Sequence, residues 1–188
     1  MRPRKVFGIG WHRTGTTSFG DAMAILRYNV GGWDGSLRPL ILRWHEGRME
    51  EILRRAESFD AFEDFPWPLV YREMDARFSG SKFVLTVRKD EEAWLKSVQA
   101  HLLSKPRSVG HYLLYGSYDP VKDAERHVRR YREHNEAVRT YFSGRDDFLE
   151  MCFEAGDGWP ELCRFLGVPE PVNIPFPHVN KSLASATA

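Results

Sequence analysis

This sequence has few cysteines, almost no net charge and no long apolar run. The two cysteines, Cys152 and Cys163, come without a Cys-x-x-Cys pair or a tight cysteine–histidine cluster, which predicts reduced thiols and no structural zinc site. The 27 basic and 26 acidic residues leave a net charge of +1, so we expect no nucleic-acid partner. The longest apolar runs are too short for a membrane span or a signal peptide, and we expect a cytoplasmic location.

The chain has 188 residues, of which 42% are hydrophobic and 28% charged. A globular chain of this length buries about 70% of its unfolded surface and needs no disulfide or metal to fold. We therefore expect one domain over residues 1–188. The small, polar stretch 182–188 is expected to fray.

Strand-like and helix-like segments alternate along the chain. Apolar periodicity predicts strands over 5–10, 59–62, 82–88 and 148–153. It predicts helices over 17–28, 37–58 with a break at Gly47, 69–78, 90–104, 119–142 and 158–166, and a glycine-rich connection over 29–36. This alternation predicts an α/β fold with a mainly parallel central sheet flanked by helices. Ligands bind at the carboxyl ends of such strands, which makes Gly10, Asp64 and Arg88 the candidate positions.

The segment 10–17 has the spacing of a phosphate-binding loop, GxxxxGK[ST], with Thr16 in the lysine position. Gly15 permits close backbone approach, and the amides that open the next helix favour an anion. Arg13 adds a positive charge, and Thr16, Thr17 and Ser18 add hydroxyl donors. Nucleoside triphosphate chemistry normally needs the loop lysine and an acidic strand end for Mg²⁺. Here the lysine is absent, and the clearest later strand ends in Arg88 rather than in an aspartate. The loop therefore predicts a smaller anion bound without a metal.

The stretches 5–10 and 12–18 resemble the sulfotransferases that use 3′-phosphoadenosine 5′-phosphosulfate (PAPS), in particular a compact branch of that superfamily. The resemblance implies a sulfotransferase fold like that of the P-loop NTPases. It also implies that residues Arg13, Thr14, Gly15, Thr16, Thr17 and Ser18 wrap the 5′-phosphosulfate. Arg13 would replace the family lysine that stabilises the bridging oxygen. Arginine keeps the charge but does not readily give up a proton, so Arg13 would act electrostatically.

A second resemblance lies where the apolar strand 83–87 ends. The superfamily binds the 3′-phosphate with an arginine that closes this strand and a serine about two helical turns later, which here implies Arg88 and Ser97. The two residues are nine positions apart, one more than we expect of most members.

The third strand end carries the candidate general base. The superfamily has a histidine or an acid shortly before a proline in this segment, and Asp64 matches it best, with Glu63 and His12 as alternatives. The aromatic neighbours of Asp64 favour a raised carboxylate pKa and a stronger base.

Several further residues are candidates for contacts to the nucleotide or to the acceptor. Asn180 and Lys181 belong to a tail that, in the resembled branch, closes over the nucleotide. Trp11, Trp33, Trp44, Trp67 and the tyrosine-rich stretch 111–118 are candidates for acceptor or base contacts, and Asn135 is expected in the core. The resemblance extends over 5–19, 61–97 and 156–181.

The sequence thus predicts a sulfotransferase that moves a sulfuryl group from PAPS to a hydroxyl or amine, with 3′-phosphoadenosine 5′-phosphate (PAP) as product. The acceptor remains open among small molecules, glycans and lipids. Acceptor-binding elements are either reduced in so short a chain or supplied by a second subunit of a homo-oligomer. Two alternatives stay open: a P-loop kinase or triphosphatase with a displaced lysine, and a non-catalytic nucleotide-binding relic.

Overall fold

The computed structural model describes residues 5–32 and 38–178. Five parallel strands form one sheet in the order β2-β3-β1-β4-β5. The strands are β1 (Val6–Gly8), β2 (Val30–Gly31), β3 (Ala61–Phe62), β4 (Lys82–Thr86) and β5 (Phe148–Met151). The helices are α1 (Thr16–Ile25), α2 (Arg38–His45), α3 (Met49–Ala56), α4 (Tyr71–Arg77), α5 (Glu91–Leu103), α6 (Val109–Tyr115), α7 (Ala124–Tyr141) and α8 (Trp159–Leu166), with 3-10 turns at Trp67–Leu69 and Phe153–Ala155. The predicted α/β fold with a parallel sheet is confirmed.

Apolar side chains cover both faces of the sheet. Alternate residues of a strand face opposite sides, so Val6 packs in the cluster that contains α1 and α8. Phe7 instead packs in the cluster with α3, α4 and α7, where its ring stacks on Phe62 and Phe83 at 4.3 and 5.3 Å between ring centroids. Burial on both faces explains why β1 and β4 are nearly continuous in apolar residues.

The central position of β1 assembles the site. β1 pairs with β3 on one side and with β4 on the other, all in parallel. The carboxyl ends of the three strands therefore lie at one edge of the sheet. The candidate loop follows β1 there, between the segment of Asp64 and the segment of Arg88.

Two segments contain elements that the sequence did not predict. The predicted connection 29–36 contains a short strand, β2, which pairs with β3 through Val30 and Gly31. Two residues give no alternating pattern, so the sequence carried no strand signal here. The tyrosine-rich stretch 111–118 overlaps α6 (Val109–Tyr115), for which no helix was predicted.

The long helix begins at Ala124 rather than at Asp119. The Asp119 carboxylate accepts hydrogen bonds from the amides of Val121 and Lys122 at 3.0 and 2.9 Å, which closes a turn of its own. Val121 falls within the predicted helix 119–142 but lies before α7, and it is 57% exposed. At Gly47 (φ 72°) the predicted helix 37–58 divides into α2 and α3, as expected.

Candidate active site

The loop after β1 is held by hydrogen bonds of its own side chains. The Thr14 hydroxyl donates to the Trp11 carbonyl at 2.6 Å and lies 2.7 Å from the Thr86 hydroxyl. A side chain at Gly10 would collide with Thr86, so glycine is required where the loop crosses the end of β4. Thr14 is buried, and its hydroxyl is used for hydrogen bonds that hold the loop.

The start of α1 is open to an anion. Gly15 is the N-cap in a left-handed conformation (φ 95°) and has no side chain to accept from the amides of the first turn. Those amides and the helix dipole favour a negative group in that place. Arg13, also left-handed at φ 66°, precedes this cap.

We expect Gly15→Ala to destabilise the fold more than Gly47→Ala. Both glycines have a positive φ, so both variants are strained by roughly 1 kcal/mol. Only at Gly15 would the new Cβ also lie 2.5 Å from the Phe153 ring, whereas nothing lies within 4 Å at Gly47. Urea unfolding should show a loss about 1–3 kcal/mol larger for Gly15→Ala. An equal loss of unfolding free energy in the two variants would mean that the Phe153 ring moves aside at no cost.

Arg13 interacts with the other predicted charged residues and with Ser97. Its Nε donates to the Ser97 hydroxyl at 3.1 Å, which joins the loop to α5. Burial lowers the pKa of Arg13, the positive charge of Arg88 lowers it further, and Asp64 opposes both effects. Arg13 is thus partly desolvated and repelled by another guanidinium, and both effects favour an anion beside it. Spacing alone did not anticipate the direct bond to Ser97.

Asp64 follows β3 and contacts the first residue of α1. Its carboxylate accepts from the Phe65 amide at 2.8 Å and from the Thr16 hydroxyl. Burial raises its pKa to about 6, although both hydrogen bonds and the charge of Arg13 act to lower it. A carboxylate with this pKa is ionised at neutral pH and is a stronger base than an exposed aspartate.

The two alternative bases have different surroundings. Glu63 is buried against α1, where a Cβ at Gly20 would lie 2.9 Å from its Cγ. His12 is buried, and its Nε2 is hydrogen-bonded to the Tyr115 hydroxyl of α6. Burial, with a smaller contribution from His111, lowers the pKa of His12 well below its usual value. A neutral His12 held by Tyr115 anchors the loop.

Arg88 lies just beyond β4. Its backbone amide donates to the Tyr131 hydroxyl at 3.1 Å, and its Nη2 lies 3.0 Å from Oε1 of Glu154. The Arg88 Nε is buried and has no hydrogen-bond partner among the described residues. Sequence reasoning missed Glu154, because only the parallel pairing of β5 with β4 brings the residues after both strands together.

The remaining candidates fall into three groups. Trp11 and Trp67 are buried in the core, and Trp44 packs at its margin. Asn135 is buried on α7 and hydrogen-bonds Tyr131, as a core residue would. The candidates Trp33, Asn180 and Lys181 and the stretch 182–188 lie outside the described residues.

The described end of the chain approaches the loop. Trp159 Nε1 donates to the Ile174 carbonyl at 2.8 Å, and Phe176 packs on Phe153 with 5.0 Å between ring centroids. Phe153 in turn covers Gly15. Within residues 5–32 and 38–178, no helix is long and apolar enough to cross a membrane, and no group of three acidic, histidine or cysteine side chains is placed to hold a metal ion.

A known protein family matches nearly the whole chain. A family model described as a sulfotransferase domain matches residues 5–118 and, in a second and overlapping segment, residues 105–185. The two matches together cover nearly all of the chain and include every candidate site residue. A search of the curated proteins found no match.

Proposed function

This chain belongs to the sulfotransferase-domain family, and from that premise we propose that it transfers a sulfuryl group from PAPS to a hydroxyl or amine. The acceptor would be a small molecule, a glycan or a lipid. One observation carries the proposal: at the ends of three adjacent strands Arg13 interacts electrostatically with both Asp64 and Arg88, and Ser97 is bonded to Arg13. Two guanidinium groups at neighbouring strand ends suit a nucleotide that has an anionic group at each end.

Each end of the donor has a candidate binding group. The amides at the start of α1, together with Arg13, would bind the 5′-phosphosulfate. Arg88 and Ser97 would bind the 3′-phosphate, for which a guanidinium offers charge-assisted hydrogen bonds. The Ser97 hydroxyl has a lone pair for Arg13 and a proton to donate, so it can link the two ends.

The transfer step follows from these positions. The acceptor oxygen or nitrogen forms a bond to sulfur while the bond between sulfur and the bridging oxygen of the donor breaks. The acceptor proton passes to Asp64, and PAP departs with the electron pair of the broken bond. Arg13 and the loop amides stabilise the negative charge that develops on the bridging oxygen. Thr16, bonded to Asp64, keeps the base beside the loop.

Calorimetric titration with PAP and with 5′-AMP tests the donor assignment. We expect PAP to bind the wild type more tightly than 5′-AMP, because 5′-AMP lacks the 3′-phosphate. Arg88→Ala should weaken PAP binding by about 10- to 100-fold and leave 5′-AMP nearly unchanged, since a hydrogen bond to a charged group contributes about 1.5–3 kcal/mol.

The matched control is Arg139→Ala, which removes an exposed arginine paired with Glu150. It should change neither affinity. Equal affinity of the wild type for PAP and 5′-AMP would contradict the PAPS assignment. Magnesium-dependent ATP binding that is tighter than PAP binding would favour the kinase or triphosphatase alternative.

A further inference from the structure

Glu154 contacts Arg88, the residue that is proposed to bind the 3′-phosphate. Its Oε1 is 3.0 Å from Nη2 of Arg88, and its Oε2 accepts from the Lys89 amide at 3.0 Å. Both oxygens of this one carboxylate are therefore used. It comes from the 3-10 turn after β5, a segment that takes no part in the chemistry proposed above.

The donors at this place outnumber the oxygens that the carboxylate offers. Nε and Nη2 form one edge of the Arg88 guanidinium, the edge that binds an oxyanion in a fork. Glu154 splits its oxygens between Nη2 and the Lys89 amide, and Nε is left buried without a partner among the described residues. A buried donor without a partner is unfavourable, because it has lost its hydrogen bonds to water.

A phosphate monoester matches this donor set better than a carboxylate does. It has three terminal oxygens, one for each of the Arg88 Nε, the Arg88 Nη2 and the Lys89 amide. It also carries more negative charge than a carboxylate, which strengthens its bonds to the guanidinium. Replacing Glu154 by phosphate would therefore satisfy the donor that the free protein leaves unpaired.

The other acidic groups near this place are already engaged. Asp90 accepts from the Ala93 amide at 2.7 Å as the cap of α5. Glu91 is paired with Arg132, and Glu92 is paired with Lys96. Glu154 is thus the acidic side chain that contacts Arg88 among the described residues.

The backbone that carries Glu154 is held in place. Phe153, its neighbour, packs on Gly15 and on Phe176. The Glu154 side chain is 30% exposed, so it can rotate into solvent while the backbone stays fixed.

We propose that Glu154 occupies the 3′-phosphate subsite of the free protein and is replaced there by the phosphate of the nucleotide. The inference depends on the proposed donor, because it assumes that Arg88 receives a 3′-phosphate. Glu154 then acts as an internal competitor that lowers the affinity for PAPS and PAP. It does not lower the affinity for nucleotides without a 3′-phosphate.

Titration of Glu154→Gln and Glu154→Ala with PAP and 5′-AMP tests this inference. Both variants should bind PAP about tenfold more tightly than the wild type, which corresponds to a subsite that is open in about one-tenth of the free molecules. The affinity for 5′-AMP should stay within about twofold. A general structural effect of the substitution would move both nucleotides alike, so 5′-AMP reports on such an effect.

Glu150→Gln is the matched control, since it removes the same charge from a carboxylate that forms two bonds to Arg139. It should leave both affinities unchanged. Weaker or unchanged PAP binding in both Glu154 variants would overturn the inference, and weaker binding would mean that Glu154 orients Arg88. If the wild type itself does not prefer PAP to 5′-AMP, the proposed donor is wrong. If that preference holds and the Glu154 variants behave like the wild type, only this inference fails.

Discussion

Asp64→Asn should lower the kcat of sulfuryl transfer by about 10²- to 10⁴-fold, the usual contribution of a general base. Asparagine preserves the geometry of the site. It tolerates the left-handed backbone at this position (φ 61°), and its side-chain oxygen can still accept from the Phe65 amide. The loss therefore measures proton removal and not misfolding.

The pH profile gives a second readout for Asp64. Because the pKa of Asp64 is raised to about 6, kcat/KM should rise as the pH increases through 6 and the carboxylate loses its proton. That limb should be missing in Asp64→Asn. Glu63→Gln is the matched control and should keep both the limb and most of the rate. A normal profile in Asp64→Asn, with the limb lost in Glu63→Gln, would transfer the role to Glu63.

The ionisation of Asp64 that raises kcat/KM should lower the stability of the fold. A carboxyl group whose pKa is higher in the folded state than in the unfolded state destabilises the fold once it is ionised. The free energy of unfolding of the wild type should therefore fall, relative to Asp64→Asn, as the pH rises from about 4 to 6. Urea unfolding across this range checks the sign. A stability difference between the wild type and Asp64→Asn that stays constant over this pH range would contradict the raised pKa of Asp64.

Arg13→Ala should lower kcat by about 10²- to 10³-fold, as expected when a group that stabilises transition-state charge is removed. The nucleotide affinity should fall less, because the amides at the start of α1 remain. Arg13→Lys restores the charge without the guanidinium and should recover most of the rate. Single-turnover measurement of sulfuryl transfer separates these effects from product release.

Arg27→Ala is the control for Arg13→Ala. Arg27 is also left-handed, with a φ of 66° like that of Arg13, but it is exposed at the far end of α1. Its substitution reproduces the local backbone change without touching the site. A rate loss in Arg13→Ala no larger than in Arg27→Ala would mean that the charge at position 13 does not act on the reaction.

The sequence predicted the parts of the site that depend on local pattern. The glycines and hydroxyls of 10–17 indicated a phosphate-binding loop, and the buried apolar run 83–87 indicated a central parallel strand that ends at Arg88. Parallel strands bring their carboxyl ends to one edge of the sheet, so the electrostatic interaction of Arg13 with Asp64 and Arg88 could be expected from the sequence.

Contacts between distant segments could not be predicted in this way. Glu154 faces Arg88 because β5 pairs with β4, a relation that no local pattern encodes. The two residues of β2 are too few for a periodic signal. The start of α7 was misplaced because Asp119 and Pro120 are as typical of a turn as of a helix start, and here the Asp119 side chain completes a turn.

A crystal structure of the protein with bound PAP tests the central claim most directly. We expect the 5′-phosphate on the amides at the start of α1 beside Arg13, and the 3′-phosphate on Arg88 with Ser97 nearby, both from one nucleotide. A nucleotide that engages the loop while its 3′-phosphate points away from Arg88 into solvent would contradict it.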